Sequence, residues 1–422
     1  MSSSSQPPTN FSDVRMRGFS QRTPVTDVIR WLDENITRTT AESVDLADAT
    51  GRVLAEPITS PVNVPGFHRG MMDGFAVQAD DTLGASAYNP LPLRVIGESL
   101  PGAPFQGQAG KGEAVRIMTG APLPTGSDAV LPVELTQTRE DTVLAIEPVA
   151  QGKHVGQPGE DIQAGESVLA AGRCLRPQDT GVLSSMGIAQ VAVTRKVRVR
   201  ILITGDELLA PGSKPHDCFI ADANSPMLSA LVRRDGGIPE NPGIVADDPA
   251  EILQALHSDV DVVLVSGGTS VGQEDHAPRL VAENGELAIH GIAMRPSSPT
   301  GIGRIGERFV FLLPGNPVSC LCAYDFFAGR AIRGLAGYRR QWPYDSLRLP
   351  LRHKLVSAIG RVDYARVRIV EDQVEPLAIG GASILSSTTR SDGFVIVPQD
   401  SEGFADGTEV EVFRYDCLVA DS

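Results

Sequence analysis

Two glycine-containing turns, each rich in acids or hydroxyls and each following an apolar run, carry the first chemical signal in this chain. Residues Arg198-Val-Arg-Ile-Leu-Ile203 read as a strand running straight into Thr204, Gly205, Asp206 and Glu207. Residues Asp261-Val-Val-Leu-Val265 read as a second strand, followed by Ser266-Gly-Gly-Thr-Ser-Val-Gly272 and then Glu274 and Asp275. Glycine lets a backbone turn tightly and approach a ligand. Gly267 and Gly268, with the hydroxyls of Ser266 and Ser270, would present donors to an anion such as phosphate. A carboxylate close behind suits Mg²⁺, which is commonly held by one or two carboxylates together with phosphate oxygens. Asp247 and Asp248, after the short apolar pair Ile244-Val245, add a third acidic strand end. Each motif also has a purely structural reading: Asp206 as the cap of a following helix, and Asp247-Asp248-Pro249 as a helix start.

A third region combines a cation with hydroxyls. Met294-Arg295-Pro-Ser-Ser-Pro299 precedes the apolar strand Phe309–Leu313, which ends in Pro314-Gly-Asn-Pro-Val-Ser319. The planar fork of Arg295 suits a tetrahedral oxyanion, with Ser298 and Ser319 completing its shell. Pro314 and Pro317 make the last loop a stiff turn. Two other signals are set aside. Gly301-Ile-Gly-Arg-Ile-Gly306 has dinucleotide-loop spacing but precedes a strand instead of opening a helix, so it reads as a hairpin. The seven histidines are scattered and form no metal motif.

These loops need a scaffold. From Val197 onward, strands alternate with helices (Ser225–Arg234, Ala250–Leu256), the pattern of a doubly wound parallel sheet whose ligands sit at the carboxyl ends of strands. Before it, residues 1–22 read as a flexible arm. Helical spacing follows over Val25–Arg38 and Leu46–Ala55, and from about residue 60 come short Val/Ile/Leu runs cut by Pro and Gly, an all-β module. Residues 165–190 carry an extended segment and a short helix. After Arg340-Gln-Trp-Pro the tail reads as a small β domain. The basic run Arg195-Lys-Val-Arg-Val-Arg200 alternates with valine and reads as the wet face of a strand.

A chain of 422 residues is too long for one core. Its formal charge of −15 argues against a general nucleic-acid binder. Five cysteines without a zinc-type pair fit reduced, structural thiols. The polar N-terminus lacks a signal-peptide run, and no stretch approaches the roughly 18 apolar residues of a membrane span. A cytoplasmic protein without membrane attachment is expected.

Taken together, the motifs resemble the molybdopterin molybdenumtransferases of MoeA type, which include the E domains of gephyrin and its plant counterparts. The likeness rests on Met72-Asp-Gly-Phe-Ala-Val77, Arg116-Ile-Met-Thr-Gly-Ala-Pro122, Gly159-Glu-Asp-Ile162, Thr204-Gly-Asp-Glu-Leu208, Ser266–Gly272 with Asp275, and Leu313-Pro-Gly-Asn-Pro-Val-Ser319. It runs from about residue 12 to 415. It implies a multidomain α/β plus β fold. An elongated bipartite domain (23–59 and 165–190) would hold an inserted β domain (60–164). A doubly wound α/β domain like the pterin adenylyltransferases (191–341) and a C-terminal β domain (342–422) would follow. It also implies a homodimer with an inter-subunit cleft.

By position, the resemblance places Asp73, Thr119 and Asp161 in that cleft from one side and Glu207, Asp247 and Asp275 from the α/β sheet. Arg295 and Ser298 come from the loop beyond, with the GRxxFxR-like Gly360-Arg361-Val-Asp-Tyr364-Ala-Arg366 and Ser383 from the last domain. The implied reaction inserts molybdate into adenylylated molybdopterin and releases AMP. In it, Glu207, Asp247 and Asp275 take Mg²⁺ and diphosphate, while Arg295, Ser298, Ser319, Arg361 and Ser383 hold molybdate. A molybdopterin adenylyltransferase and molybdoenzyme maturation factors are the implied partners. One departure stands out: the Lys-Pro-Gly-Lys-Pro segment of many members is here Arg295-Pro-Ser-Ser-Pro299, so a second lysine is replaced by Ser298. Adenylyl transfer to molybdopterin and a carrier or scaffold role are the alternatives.

Overall fold

Helix α1 (Val25–Asn35) forms on the spacing expected, with Val25, Val28 and Leu32 buried along one stripe, but it stops at Asn35 instead of Arg38. In this computed structural model the described residues are Phe19, 21–268 and 276–415. Ser270, Asp275, Cys417 and residues 1–18 of the expected arm lie outside them. The chain forms two units, Met1–Glu42 joined with Thr194–Ser422, and Ser43–Val193. No helix among the described residues is long and apolar enough to cross a membrane.

The first unit is built on a seven-stranded sheet. In chain order its elements are β1 (Val197–Thr204), α2 (Asn224–Arg234), β2 (Gly237–Glu240), β3 (Ile244–Val245) and α3 (Pro249–Leu256). Then come β4 (Val262–Ser266), α4 (Ala277–Asn284), β5 (Glu286–His290), β6 (Gly301–Ile305) and β7 (Arg308–Leu313). The spatial order is β2-β1-β4-β7-β6-β5, with β3 also on β1. Strands β2, β1, β4 and β7 run parallel, whereas β6 and β5 close the edge as antiparallel strands. The sheet is therefore mixed, and the glycine-rich run 301–306 is the expected hairpin, most of it strand β6.

Alternation sorts the strands onto two cores. Ile201, Leu264 and Phe311 pack on one face with the stripe of α1. Leu202, Val263, Val265 and Val310 pack on the other with Ile252 and Leu280 of the helices. The basic run behaves as expected: Val197 and Val199 are buried, while Arg198 and Arg200 reach Glu240 at the sheet edge.

The C-terminal strands Ser346–Pro350, Val362–Val370, Gln373–Ala378, Gly393–Val397 and Glu409–Arg414 form a second sheet in the same unit. Met294–Arg295 adds itself to this sheet, parallel to the start of Val362–Val370. Tyr364 and Phe394 stack at 4.3 Å and share one core with β1, β4 and β7. Phe326, Trp342 and Phe413 close the same aromatic group. One face of the C-terminal sheet thus shares the α/β core, while Leu351, Ala365, Val367, Val395 and Val412 form a separate core on the other. Beside it, Arg234 bonds the buried carboxylates of Asp235 and Asp325. Burial pushes Asp325 up from the usual carboxylate range while Arg234 pulls it back.

The second unit centres on a six-stranded sheet ordered Ala129–Pro132, Gly74–Val77, Glu113–Ile117, Leu91–Ser99, Thr142–Ala145, Thr136–Arg139. A separate core joins Ala49 and Leu54 with Ile162, Leu169, Leu183 and Val193, so segments from both sides of the sheet pack together. The helix expected over Leu46–Ala55 is absent. Only Leu46–Asp48 makes a tight 3-10 turn. Gly51 and Leu54 donate their amides to Leu175 and Arg173 instead, so tertiary pairing takes the backbone groups a helix would need. The helix Pro177–Ser185 starts on Asp179, whose buried carboxylate accepts from Arg173, from the Arg176 amide and from the Arg176 side chain.

Candidate functional site

The parallel register of β1 and β4 brings Thr204 and Ser266 to neighbouring strand ends, with Val245 beside Thr204. The approach is close enough to demand glycine: a Cβ on Gly267, at φ +104°, would lie 2.0 Å from the Thr204 carbonyl oxygen. A Cβ on Gly268 would lie 3.2 Å from Thr204 Oγ1 and 3.5 Å from Asp247 Oδ1. Three strand ends therefore converge on Thr204, Gly267, Gly268 and Asp247. Asp206 does not cap a helix; Asp206 and Glu207 form an exposed turn leading into the short strand Leu208–Leu209. Asp248, by contrast, is the cap of α3, accepting from Ala250 and Glu251.

Asn224, at the start of α2, is the residue that sequence reasoning missed here. Its Nδ2 donates to Ser266 Oγ at 2.9 Å and to the Gly315 carbonyl at 2.7 Å. It thereby ties the loop after β4 to the loop after β7. Its Oδ1, and Thr204 Oγ1, are buried without a hydrogen-bond partner among the described residues. Buried polar atoms are normally satisfied, and two orphans at converging strand ends mark a place for a polar ligand. No group of three metal-binding side chains occurs among the described residues; Glu207 and Asp247 are two of the three carboxylates expected to hold metal, and Asp275 lies outside that set.

A cavity of about 660 Å³ uses Pro314 and Asn316 of the loop 314–317 as part of its wall and is lined further by Arg22, Arg295, Ser298, Ser319 and Arg361. Strand register explains the arginines. Arg295 pairs with Asp363 across the parallel ladder, and its guanidinium bonds the carboxylate of that same residue, Nε to Oδ1 at 3.0 Å and Nη2 to Oδ2. Asp363 is fully buried; Ser357 also donates to it, and Arg361 lies 3.5 Å away. Arg295 is thus an anchored cation in the lining of the cavity. Ser297, at φ +90°, is held by its hydroxyl on the Ser319 carbonyl.

Not every expected residue reaches the cavity. Arg366 is completely buried and donates to the Gly380 carbonyl, so it supports the wall instead of facing a ligand. Ser383 is exposed one residue beyond the lining residue Ala382. Pro317 opens the helix Pro317–Ala323 at the cavity rim. Cys320 of that helix is buried against Ser266, and burial pushes its thiol up to about 12.

In the second unit, Asp73 immediately precedes the strand Gly74–Val77 and Thr119 follows its neighbour, with Gly74 opposite Ile117. Asp73 Oδ1 accepts from the Thr119 amide at 2.7 Å and from Thr119 Oγ1 at 2.8 Å. These bonds, the amide first, hold Asp73 below the usual carboxylate range. Asp161 is exposed, and the acid engaged in its stretch is Glu160, bonded to Arg69 at 2.7 Å.

Residues 23–187 match the MoeA N-terminal region (domain I and II). Residues 200–333 match a probable molybdopterin binding domain, and 348–415 the MoeA C-terminal region (domain IV). The three matches follow in order along the chain. It belongs to the MoeA family. A molybdopterin molybdenumtransferase of Haemophilus influenzae is 33% identical over 393 residues, covering 90% of this chain and 95% of that one. Molybdopterin molybdenumtransferase 2 of Mycobacterium tuberculosis is 32% identical, covering 88% and 94%. The crystal structure of a MoeA molybdopterin biosynthesis protein from Pyrococcus horikoshii superimposes with a TM-score of 0.82 at 32% identity. It covers 94% of this chain and 100% of that one. The fold of this MoeA chain is thus the multidomain arrangement of its family, with the strand-end loops inside the segment that matches the molybdopterin binding domain.

Proposed function

We propose that this MoeA chain is a molybdopterin molybdenumtransferase that inserts molybdate into adenylylated molybdopterin and releases AMP. The observation that carries the reading is the pairing of two polar sites around one loop, 314–317. The strand ends with their orphaned Thr204 Oγ1 and Asn224 Oδ1 reach this loop through the Asn224 bond to Gly315, and Pro314 and Asn316 wall the arginine-lined cavity. Molybdate is a tetrahedral dianion, and forked guanidinium groups with serine hydroxyls suit it. Arg295 and Arg361 would neutralise it, and Ser298 and Ser319 would set its orientation. Gly267, Gly268 and Ser266 would cradle the phosphate end of the pterin, with Ser270 as a further donor.

Glu207, Asp247 and Asp275 are hard oxygen donors of the kind Mg²⁺ takes, and Asp247 beside the orphaned Thr204 hydroxyl fits such a site. When bound, Mg²⁺ would neutralise charge at the diphosphate. The chain itself contributes position and preorganised charge. Asp73, Thr119 and Asp161 would complete the cleft from a second subunit of a homodimer, in the cytoplasm, with an adenylyltransferase supplying the substrate and maturation factors receiving the product. The test is AMP release from adenylylated molybdopterin with Mg²⁺, with and without molybdate. Release that requires molybdate is the expected result; release independent of molybdate, or AMP transfer from ATP onto molybdopterin, would overturn the reading.

A further inference from the structure

The cavity contains a third cation that no sequence motif announces. Arg22 lines it, 276 residues away in sequence from the serine it touches, and its Nε donates to Ser298 Oγ at 2.8 Å. The backbone around Arg22 is anchored. Thr23 donates its amide to the Gly291 carbonyl and accepts from the Ala293 amide, both at 2.9 Å. Phe19 meets the His290 ring edge-on at 5.0 Å. Gly291, at φ +90°, leaves room for that ring, because a Cβ there would lie 2.4 Å from Phe19 Cδ1. The stretch expected to end a flexible arm at residue 22 is therefore docked on the segment leading to Arg295.

We propose that Arg22 is an anion-binding residue of this cavity, supplying from the N-terminal segment the second positive charge that Ser298 does not carry. Charge balance supports this. Arg22, Arg295 and Arg361 line the cavity, and the one carboxylate bonded to any of them among the described residues, Asp363, is already bonded by Arg295 and Ser357; the excess of two positive charges matches a tetrahedral dianion. Arg22 forms no ion pair with a carboxylate among the described residues, so its Nη1 and Nη2 donors remain for a ligand. Ser298 fixes the guanidinium through Nε alone, and a guanidinium fixed in advance loses less freedom when it binds. Arg295 is tied to a buried acid, whereas Arg22 is exposed and reports directly on the ligand's charge. The assignment rests on the transferase reading above.

The experiment titrates the full-length protein with sodium molybdate and, separately, with inorganic phosphate and AMP, by calorimetry. Arg22→Ala is expected to weaken molybdate binding about tenfold, the loss of one charge-assisted donor pair, and Arg22→Lys about threefold. Ser298→Lys placed in the Arg22→Ala background should restore binding to within about twofold, because it returns a cation to the same spot. AMP affinity should not change in any variant. If Arg22→Ala binds molybdate like the parent, or if it loses AMP or phosphate but not molybdate, the assignment is overturned. Thermal melting of each variant confirms folding, and Arg22→Lys retains the charge should the alanine variant be perturbed. Failure of this assignment differs from failure of the function. In the first case the parent still releases AMP in response to molybdate; in the second it does not.

Discussion

The strand-end cluster and the arginine cavity share the loop 314–317 yet manage polar groups in opposite ways. At the strand ends, Thr204 Oγ1 and Asn224 Oδ1 are buried and unpartnered among the described residues, and Glu207 stands exposed in a turn. In the cavity the polar groups are already engaged: Arg295 is locked on Asp363, Ser297 on the Ser319 carbonyl, and Ser298 under Arg22. The first arrangement leaves valences for a ligand to fill. The second spends them on holding cations in place, so that a dianion meets preorganised charge. A diphosphate with a metal and a compact oxyanion require these two different designs.

The largest expected effect attacks the locked side. Asp363→Asn leaves Arg295 and Arg361 without their shared carboxylate and should cost about 2–4 kcal/mol of stability in urea unfolding, below the full penalty for a buried pair because both guanidinium groups left behind still reach water. A cost below about 1 kcal/mol, the size of an exposed pair, would break the contrast. Next, Glu207→Ala, on the open side, should lower molybdate-dependent AMP release by about 100-fold with the melting temperature unchanged. Full activity would remove the strand ends from the chemistry. Gly267→Ala forces a Cβ into the Thr204 carbonyl at a left-handed backbone position and should cost about 1–3 kcal/mol, read by urea unfolding.

The smallest effect sharpens the comparison in the second unit. Asp73 is held below the usual carboxylate range chiefly by the Thr119 amide and then by its hydroxyl. A depressed acid adds stability above its unfolded pKa and loses that contribution as pH falls through its folded value. Thr119→Val removes only the hydroxyl. Its Asp73 should therefore titrate somewhat higher by carboxyl NMR, remain ionised at neutral pH, and leave the dominant amide bond intact. An unchanged titration would show the hydroxyl to be a bystander.

Much of the α/β half was legible because its signals are local. The apolar runs in Arg198–Ile203 and Asp261–Val265 fit β1 and β4 to within two residues, and the glycines at 267 and 268 sit where the strand ends meet. The helix expected at Leu46–Ala55 was wrong because its amides pair with residues 173 and 175, a partner that apolar spacing cannot reveal. Arg366 looked like a ligand-facing cation by motif, but residues 363–367 of its strand are covered on both faces, and its guanidinium ends on the Gly380 carbonyl. An acid, Asp363, inside a strand rich in apolar residues was the available clue to a buried ionic contact, which the structure makes with Arg295.

By itself the sequence determined the family, the main strands of the α/β half, and the loops at which parallel strands end, because periodicity and turn chemistry act over a few residues. Only the tertiary structure decided which of those groups face a ligand. The contacts that hold Arg295 on Asp363 and Arg22 on Ser298 join residues 68 and 276 positions apart. Whether a cation is locked, exposed or buried depends on which distant chain segment packs against it, and no local pattern encodes that.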